Sequence, residues 1–236
     1  MDVSEMNNLE FKLRGFIRQK DKEHFVVRVK TQVGHVSSEQ MAVLSDLTRK
    51  YARSYLTFTN RLNIDIPWVA EDNLDAVKQA VEEVGLVVGG TGPTVRPIVA
   101  CKGTICDKGL VDTQGLGKAL DERFFGKKLP AKFKIGITGC SNDCAKAELN
   151  DLGFVGQRSS GDAGEAGYRA YFGGTFGRVH RVGQQAGPLL SLNEAISLTE
   201  RVIGYMEQNA RPKERLGVLI DRVGREEFLK AIDFVI

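Results

Sequence analysis

LPAKFKIGITGCSNDCAKAELNDLGFVGQ, residues 129–157, puts two kinds of chemistry into one short run. Its first part reads as a strand over Lys132–Thr138, and the period of two places the ammonium groups of Lys132 and Lys134 on one face. The strand runs into Gly139-Cys140-Ser141-Asn142-Asp143-Cys144, a cysteine pair set among small residues. Working back from it, a helix is expected near Leu116–Phe125, then a second pair, Cys101-x4-Cys106, then a short strand over Arg96–Ala100. The two pairs lie 33 residues apart, so two tight loops must converge to make one four-thiolate site. Soft thiolates select zinc or iron-sulfur clusters. Spacing alone leaves three readings open: a cluster, structural zinc, or unrelated buried thiols, although zinc ribbons prefer shorter gaps within each pair. The neighbours favour the cluster, because small residues let backbone N–H groups point at sulfurs and glycine permits close backbone approach.

Composition narrows the setting. The chain has 236 residues, 42% hydrophobic and 27% charged, as an ordinary globular protein of one or two domains has. A net charge of +3 without a basic stripe argues against nucleic acid as a partner. The first ten residues, MDVSEMNNLE, lack the basic and apolar stretches of a secretory signal, and no later run reaches the roughly 18 apolar residues of a membrane span. A cytoplasmic location is therefore expected. In that reducing compartment the four cysteines point to a metal site or catalysis rather than to disulfides.

Upstream, His24–Lys30 alternates, with Phe25, Val27 and Val29 on one face and Val26, Arg28 and Lys30 on the other. Ser37 and Gln40 form a capping-box pattern that opens a helix ending near Arg53. Two β-rich stretches follow, Tyr55–Thr59 and Leu62–Trp68, and then a helix from about Asn73 to Val84 stopped by Gly85. The expected fold is α+β: a β-α-β-β-α half over residues 1–90, including an N-terminal lead, and a mixed α/β region over residues 91–236. The junction falls at Gly89-Gly90-Thr91-Gly92-Pro93, which lacks the strand-turn-helix setting of a phosphate loop. Further on come the glycine-rich Phe172–Arg178 segment, a helix opened by Ser191 and Glu194, and a helical C-terminus. His24, His35 and His180 are scattered and carry no ligand role.

The run Leu129–Gln157, together with VRPIVACKGTICDKGLVDT (Val95–Thr113) and YFGGTFGRV (Tyr171–Val179), resembles the sirohaem and [4Fe-4S] domain of sulfite and nitrite reductases. The preceding half is similar to that family's ferredoxin-like half-domain. The resemblance implies that Cys101, Cys106, Cys140 and Cys144 ligate a [4Fe-4S] cluster, with Cys144 bridging to sirohaem iron. It implies that Lys132, Lys134, Arg96 and Lys30 bind a small inorganic oxyanion, and that Lys132 and Lys134 also help supply protons. It also implies that Arg28, Thr59, Asn60, Arg61, Asn142, Gly173, Gly174 and Arg178 line the sirohaem. Lys134 tilts the reading toward sulfite, because related nitrite reductases tend to carry asparagine there.

Some positions depart from the family pattern. Lys30 stands where arginine is frequent, Thr57 where many relatives are basic, and the first cysteine pair encloses four residues where five is common. Larger relatives hold two copies of this module, so a homo-oligomer, with a dimer favoured, is expected to rebuild the twofold arrangement. No flavin or nicotinamide fingerprint is present, so the electrons are expected from ferredoxin or another donor protein. The activity so implied is multi-electron reduction of sulfite to sulfide. The alternatives are nitrite reduction, a non-catalytic electron-transfer or sirohaem-binding protein, and a zinc module.

Overall fold

The computed structural model describes residues 3–159 and 164–234, with side chains from residue 8 on. The chain divides into two compact units, Met1–Gly92 and Pro93–Ile236.

In the first unit, α1 (Val3–Leu13) is followed by β1 (Phe16–Arg18), β2 (His24–Lys30), α2 (Ser38–Tyr51), β3 (Thr57–Phe58), β4 (Ile64–Ala70), α3 (Leu74–Glu83) and β5 (Val87–Val88). The sheet is antiparallel, with β2 at its centre, β4 and then β3 on one side, and β1 and β5 both pairing β2. Arg28 stands where these two partial edge strands meet. Its N–H donates to the Gly15 carbonyl, and its own carbonyl accepts from Gly89, each at 3.0 Å. The alternation read in β2 is real: Phe25, Val27 and Val29 are fully buried against Leu44, Leu47, Val77 and Val81. Each such side chain contributes roughly 1.5–3 kcal/mol by leaving water.

The helix ends follow local chemistry. Ser37 and Gln40 form both halves of the expected capping box. Gly85 closes α3 at φ +74, the left-handed position glycine adopts without cost, with Gly85 N–H bonded to Glu82 O and Leu86 N–H to Val81 O. The α1 helix and the short strands β1 and β5 were not foreseen. Two-to-three-residue strands show no period, and residues 3–13 sat inside the expected N-terminal lead.

The second unit runs β6 (Val99–Ala100), α4 (Thr113–Phe124), β7 (Ile135–Thr138), β8 (Leu152–Arg158), β9 (Ala166–Phe172), β10 (Gln184–Leu190), α5 (Leu192–Asn209), α6 (Leu216–Val223) and α7 (Arg225–Ala231). Its sheet order is β10-β9-β8-β7-β6, parallel from β6 to β8 and antiparallel from β8 to β10. Phe172 of β9 packs edge-on against Phe228 of α7 at 5.6 Å, and Phe228 against Tyr205 of α5 at 5.4 Å.

Two expected strands are shorter than the sequence indicated. The strand expected over Arg96–Ala100 is regular only at Val99–Ala100, because Pro97 has no N–H for the ladder. The strand expected from Lys132 begins at Ile135; Lys132–Lys134 leads in, joined to the sheet through a parallel bridge between Val95 and Phe133. The expected helix over Leu116–Phe125 starts earlier, at Thr113, because the Asp112 carboxylate caps it by accepting from Gly115 N–H at 2.8 Å.

Candidate functional site

Strands β6 and β7 are parallel neighbours, with Ala100 opposite Ile137, so their carboxyl ends lie on the same edge of the sheet. Cys101 directly follows β6, and Cys140 follows β7 by one glycine. The two loops touch. Gly139 N–H points at Cys101 Sγ at 3.1 Å, Gly103 N–H lies 3.4 Å from the same sulfur, and Leu110 N–H donates to Gly139 O at 2.8 Å. The Cys101 carbonyl accepts from Thr113 Oγ1 at 2.7 Å and Gln114 Nε2 at 2.6 Å, which fastens the first loop to the start of α4.

Glycine makes this convergence possible. A Cβ on Gly109 would sit on the Gly103 carbonyl, and one on Gly156 of β8 would sit on the Gly139 carbonyl. Gly103 itself has φ +54 and faces the Thr113 hydroxyl and backbone.

In the second loop Asp143 takes φ 44 and Lys146 φ 52. The Asp143 carboxylate accepts from Ala147 N–H at 2.6 Å and Glu148 N–H at 3.4 Å, capping the 3-10 turn Ala147–Leu149. Burial raises the Asp143 pKa above the ordinary carboxylate value, opposed by those two hydrogen bonds. Asn142 is exposed within this loop.

All four cysteines are free thiols, Cys101 and Cys140 partly buried, Cys106 and Cys144 exposed. Among the described residues no three His, Cys, Asp or Glu side chains are close enough to hold one metal ion. A four-iron cube takes its thiolates at four separate corners and does not ask this of them. The donor set fits such a cluster: four soft thiols on two joined loops, and peptide N–H groups already directed at one sulfur. Gln114 Oε1 and Thr138 Oγ1, at the roots of the two loops, are buried without a hydrogen-bond partner.

A second constellation gathers in the same unit around Lys132. Partial burial comes first among the causes that lower the Lys132 pKa, followed by repulsion from Arg215, then from Arg96, with Arg178 adding a smaller push and Asp151 opposing them. Four cations therefore share one neighbourhood. Lys134 is fixed through its backbone, whose N–H donates to Asp151 Oδ2 at 2.7 Å. Gly173 takes φ +83 against Gly217 of α6, and Gly174 packs against the Glu148 and Asn150 backbone. The following loop carries the exposed Arg178 and is tied down by the Arg181–Asp221 ion pair. Such a group of cations suits an oxyanion or the carboxylates of a sirohaem.

In the first unit the expected residues lie on the outer face of the sheet and in one turn. Arg28 is engaged by Asp65 of β4 through two bonds of 2.8 Å, Nε to Oδ1 and Nη2 to Oδ2. Its fork is committed within the sheet. Asp65 also stands opposite Thr57 of β3. Lys30 ends β2 opposite Val87. Thr59, Asn60 and Arg61 form the turn between β3 and β4, in which Thr59 Oγ1 accepts from Arg61 N–H at 3.3 Å and Asn63 N–H at 3.1 Å.

Sequence reasoning missed Arg215 and Asp151. Asp151 lies inside the quoted DLGF run, but nothing local marks its carboxylate as an anchor. Arg215 comes from a basic stretch some sixty residues away.

Among the described residues no helix is long and apolar enough to cross a membrane. The profile of the nitrite/sulfite reductase ferredoxin-like half domain matches residues 17–84, and that of the nitrite and sulphite reductase 4Fe-4S domain matches residues 91–234. The chain is 28% identical over 221 residues to an assimilatory-type sulfite reductase of Nitratidesulfovibrio vulgaris, covering 93% of this chain and 97% of that one. It is 27% identical to a ferredoxin–nitrite reductase of Leptolyngbya laminosa over 92% of its own length but 45% of the relative's. The solved structure of the Mycobacterium tuberculosis NirA protein superposes with a TM-score of 0.83 at 20% identity, covering 99% of this chain and 47% of that one. The chain thus spans almost all of the first relative and under half of the other two. The 4Fe-4S profile alone covers more than half of the chain, which therefore belongs to the nitrite and sulphite reductase family, a membership that implies a [4Fe-4S] cluster and a sirohaem as its cofactors.

Proposed function

We propose that the protein reduces sulfite to sulfide: Cys101, Cys106, Cys140 and Cys144 would hold the cluster, and Cys144 would also serve the sirohaem. The observation that carries the reading is the gathering of Lys132, Arg96 and Arg178 in the unit that also bears the cysteine loops. When bound, cluster and sirohaem supply the electrons and the iron at which the oxyanion is reduced. The chain's own residues bind and protonate. Arg96 and Arg178 are assigned to holding the oxyanion by charge, and Lys134 and Lys30 are assigned to the same task. Lys132, its pKa lowered by burial and by neighbouring guanidinium groups, gives up a proton near neutral pH more readily than an ordinary lysine. Thr59, Asn60, Arg61, Asn142, Gly173 and Gly174 are assigned to the haem surroundings. Arg28 is assigned there as well, although its fork is engaged by Asp65.

Lys132 and Lys134 precede β7 while Cys140 follows it, so the cations and the cysteines of one chain sit at opposite edges of the sheet. This supports a symmetric dimer in which the cations of one chain serve the cofactors of its partner. Electrons come from a ferredoxin or a comparable donor protein, in the cytoplasm, where thiols stay reduced.

Lys134 favours sulfite over nitrite as substrate. Anaerobic purification followed by iron and sulfide analysis and an absorption spectrum tests the cofactor assignment. Iron, acid-labile sulfide and an isobacteriochlorin band are expected. A colourless, zinc-bearing protein overturns the reading, and iron and sulfide without the band reduce it to an electron carrier.

A further inference from the structure

The Asp151 carboxylate is fully buried, and three segments of the second unit meet on this residue. Its oxygens accept from Arg215 Nε at 2.8 Å and Arg215 Nη2 at 2.6 Å, in the two-pronged geometry that fixes a guanidinium plane. Oδ2 also accepts from Lys134 N–H at 2.7 Å, and the Asp151 backbone carbonyl accepts from Gly173 N–H at 2.8 Å. One residue thus pins the lysine segment, the root of the glycine-rich loop that carries Arg178, and the residue that caps α6. A further tie, Lys213 N–H to Pro130 O at 2.9 Å, lays residues 213–215 alongside residues 130–134.

The arrangement costs something unless it has a use. A buried carboxylate is well satisfied by one arginine, yet Arg215 also repels Lys132, and two further guanidinium groups stand near the same lysine. Like charges held together in a folded protein oppose folding. An anion placed among them removes that cost. Arg215 retains a thin exposed slice, 15% of its side chain, whereas Asp151 has none.

We propose that Arg215 is an oxyanion-binding residue of the Lys132–Arg96–Arg178 group, and that Asp151 is the positioning residue that aims it. Asp151 holds one edge of the guanidinium and leaves the rest to the substrate. Because the same carboxylate holds the Lys134 backbone, it also sets the register between Arg215 and the two lysines. This inference rests on the assignment of that cation group to the substrate.

The test uses the cofactor-loaded full chain with Arg215→Gln and Arg215→Lys. Two readouts are taken: steady-state kinetics per haem with a reduced dye, and the sulfite-dependent rise in melting temperature. Arg215→Gln is expected to raise KM for sulfite by about tenfold or more, with kcat per haem changed far less, and to weaken the thermal response to sulfite in parallel. Arg215→Lys keeps the charge but cannot bridge carboxylate and oxyanion at once, so its KM is also expected to rise. An unchanged KM and thermal response in Arg215→Gln, with only stability lowered, overturns the proposal by making the pair purely structural. Should Arg215→Gln fail to assemble, Arg215→Lys decides by the same criterion. Wild-type protein that neither turns over sulfite nor responds to it thermally sinks the underlying assignment instead. Wild-type protein that does both, beside indifferent variants, sinks only the role of Arg215.

Discussion

Lys134 and Cys140 stand at opposite ends of one strand, the lysine immediately before β7 and the cysteine just beyond it. At ~3.3 Å per extended residue, the two lie on the order of 15–20 Å apart along the sheet. Under the proposed assignment, this separation suits a site in which the lysines of one chain meet the cofactors held by another.

This separation makes a complementation experiment informative. A chain carrying Lys132→Met and Lys134→Met is expected to be inactive, as is one carrying Cys140→Ser. Co-assembled as mixed dimers, they place intact cysteines opposite intact lysines at one of the two sites. Random mixing should restore roughly a quarter of wild-type activity. Activity no greater than the sum of the separate variants places the working site within a single chain.

The glycine contacts between the cysteine loops give a second prediction. Gly109→Ala and Gly156→Ala drive a Cβ into the Gly103 and Gly139 carbonyls, neither of which is the flexible end of a side chain. The loops must shift, at a cost of about 1–3 kcal/mol, and the thiolates move with them. Both variants are expected to lose most of their cluster iron while keeping their far-ultraviolet circular dichroism. Gly204→Ala, within α5 where a Cβ meets nothing within 4 Å, should retain both the iron and the stability.

Lys132 ties activity and stability together with opposite signs. Its pKa is lowered by burial and by Arg215 and Arg96, so the protonated lysine is less welcome in the folded protein than in the unfolded chain. The unfolded chain therefore binds this proton more tightly. The resulting destabilisation is fully present below the folded pKa and disappears as pH rises past the ordinary lysine value of about 10.4. Lys132→Met is expected to abolish most sulfite turnover, yet to raise the melting temperature at neutral pH. That gain should shrink in high salt and vanish toward pH 11 or so. Thermal scans across pH check the sign, and a melting temperature lowered at neutral pH refutes it.

The proposed part of Lys134 in choosing the substrate is open to a direct test. Lys134→Asn removes one positive charge while its backbone N–H still donates to Asp151, so the fold should be kept. The ratio of kcat/KM for sulfite to that for nitrite is expected to fall by about tenfold. Parallel assays with both anions measure it; an unmoved ratio removes Lys134 from substrate discrimination.

Much of this arrangement was legible in the sequence, and the reasons are physical. The alternation of His24–Lys30, the capping boxes at Ser37 and Ser191, and Gly85 after α3 are local signals, and each reappears as a strand, a helix start or a helix stop. The strands β8, β9 and β10 carried no such signal. Leu152–Gly156 is buried on both faces and so does not alternate, and β10 pairs β9 with a shift in register between Ala186 and Leu190. For the site, the cysteine loops were readable because their residue types are rare and closely spaced. Asp151 and Arg215 were not, since their meeting across 64 residues depends on where α6 docks. Arg28 shows the converse. Its position on the outer face of β2 was read correctly, but its partner Asp65 is fixed by the pairing of β2 with β4, which a single strand does not reveal.

The most direct test of the central claim is a reduced-dye assay on anaerobically purified protein whose spectrum shows both cofactors, with sulfide measured as product. The result expected is one sulfide for every six electrons consumed from the dye, with kcat/KM for sulfite above that for nitrite. Fully loaded protein that yields no sulfide contradicts the claim.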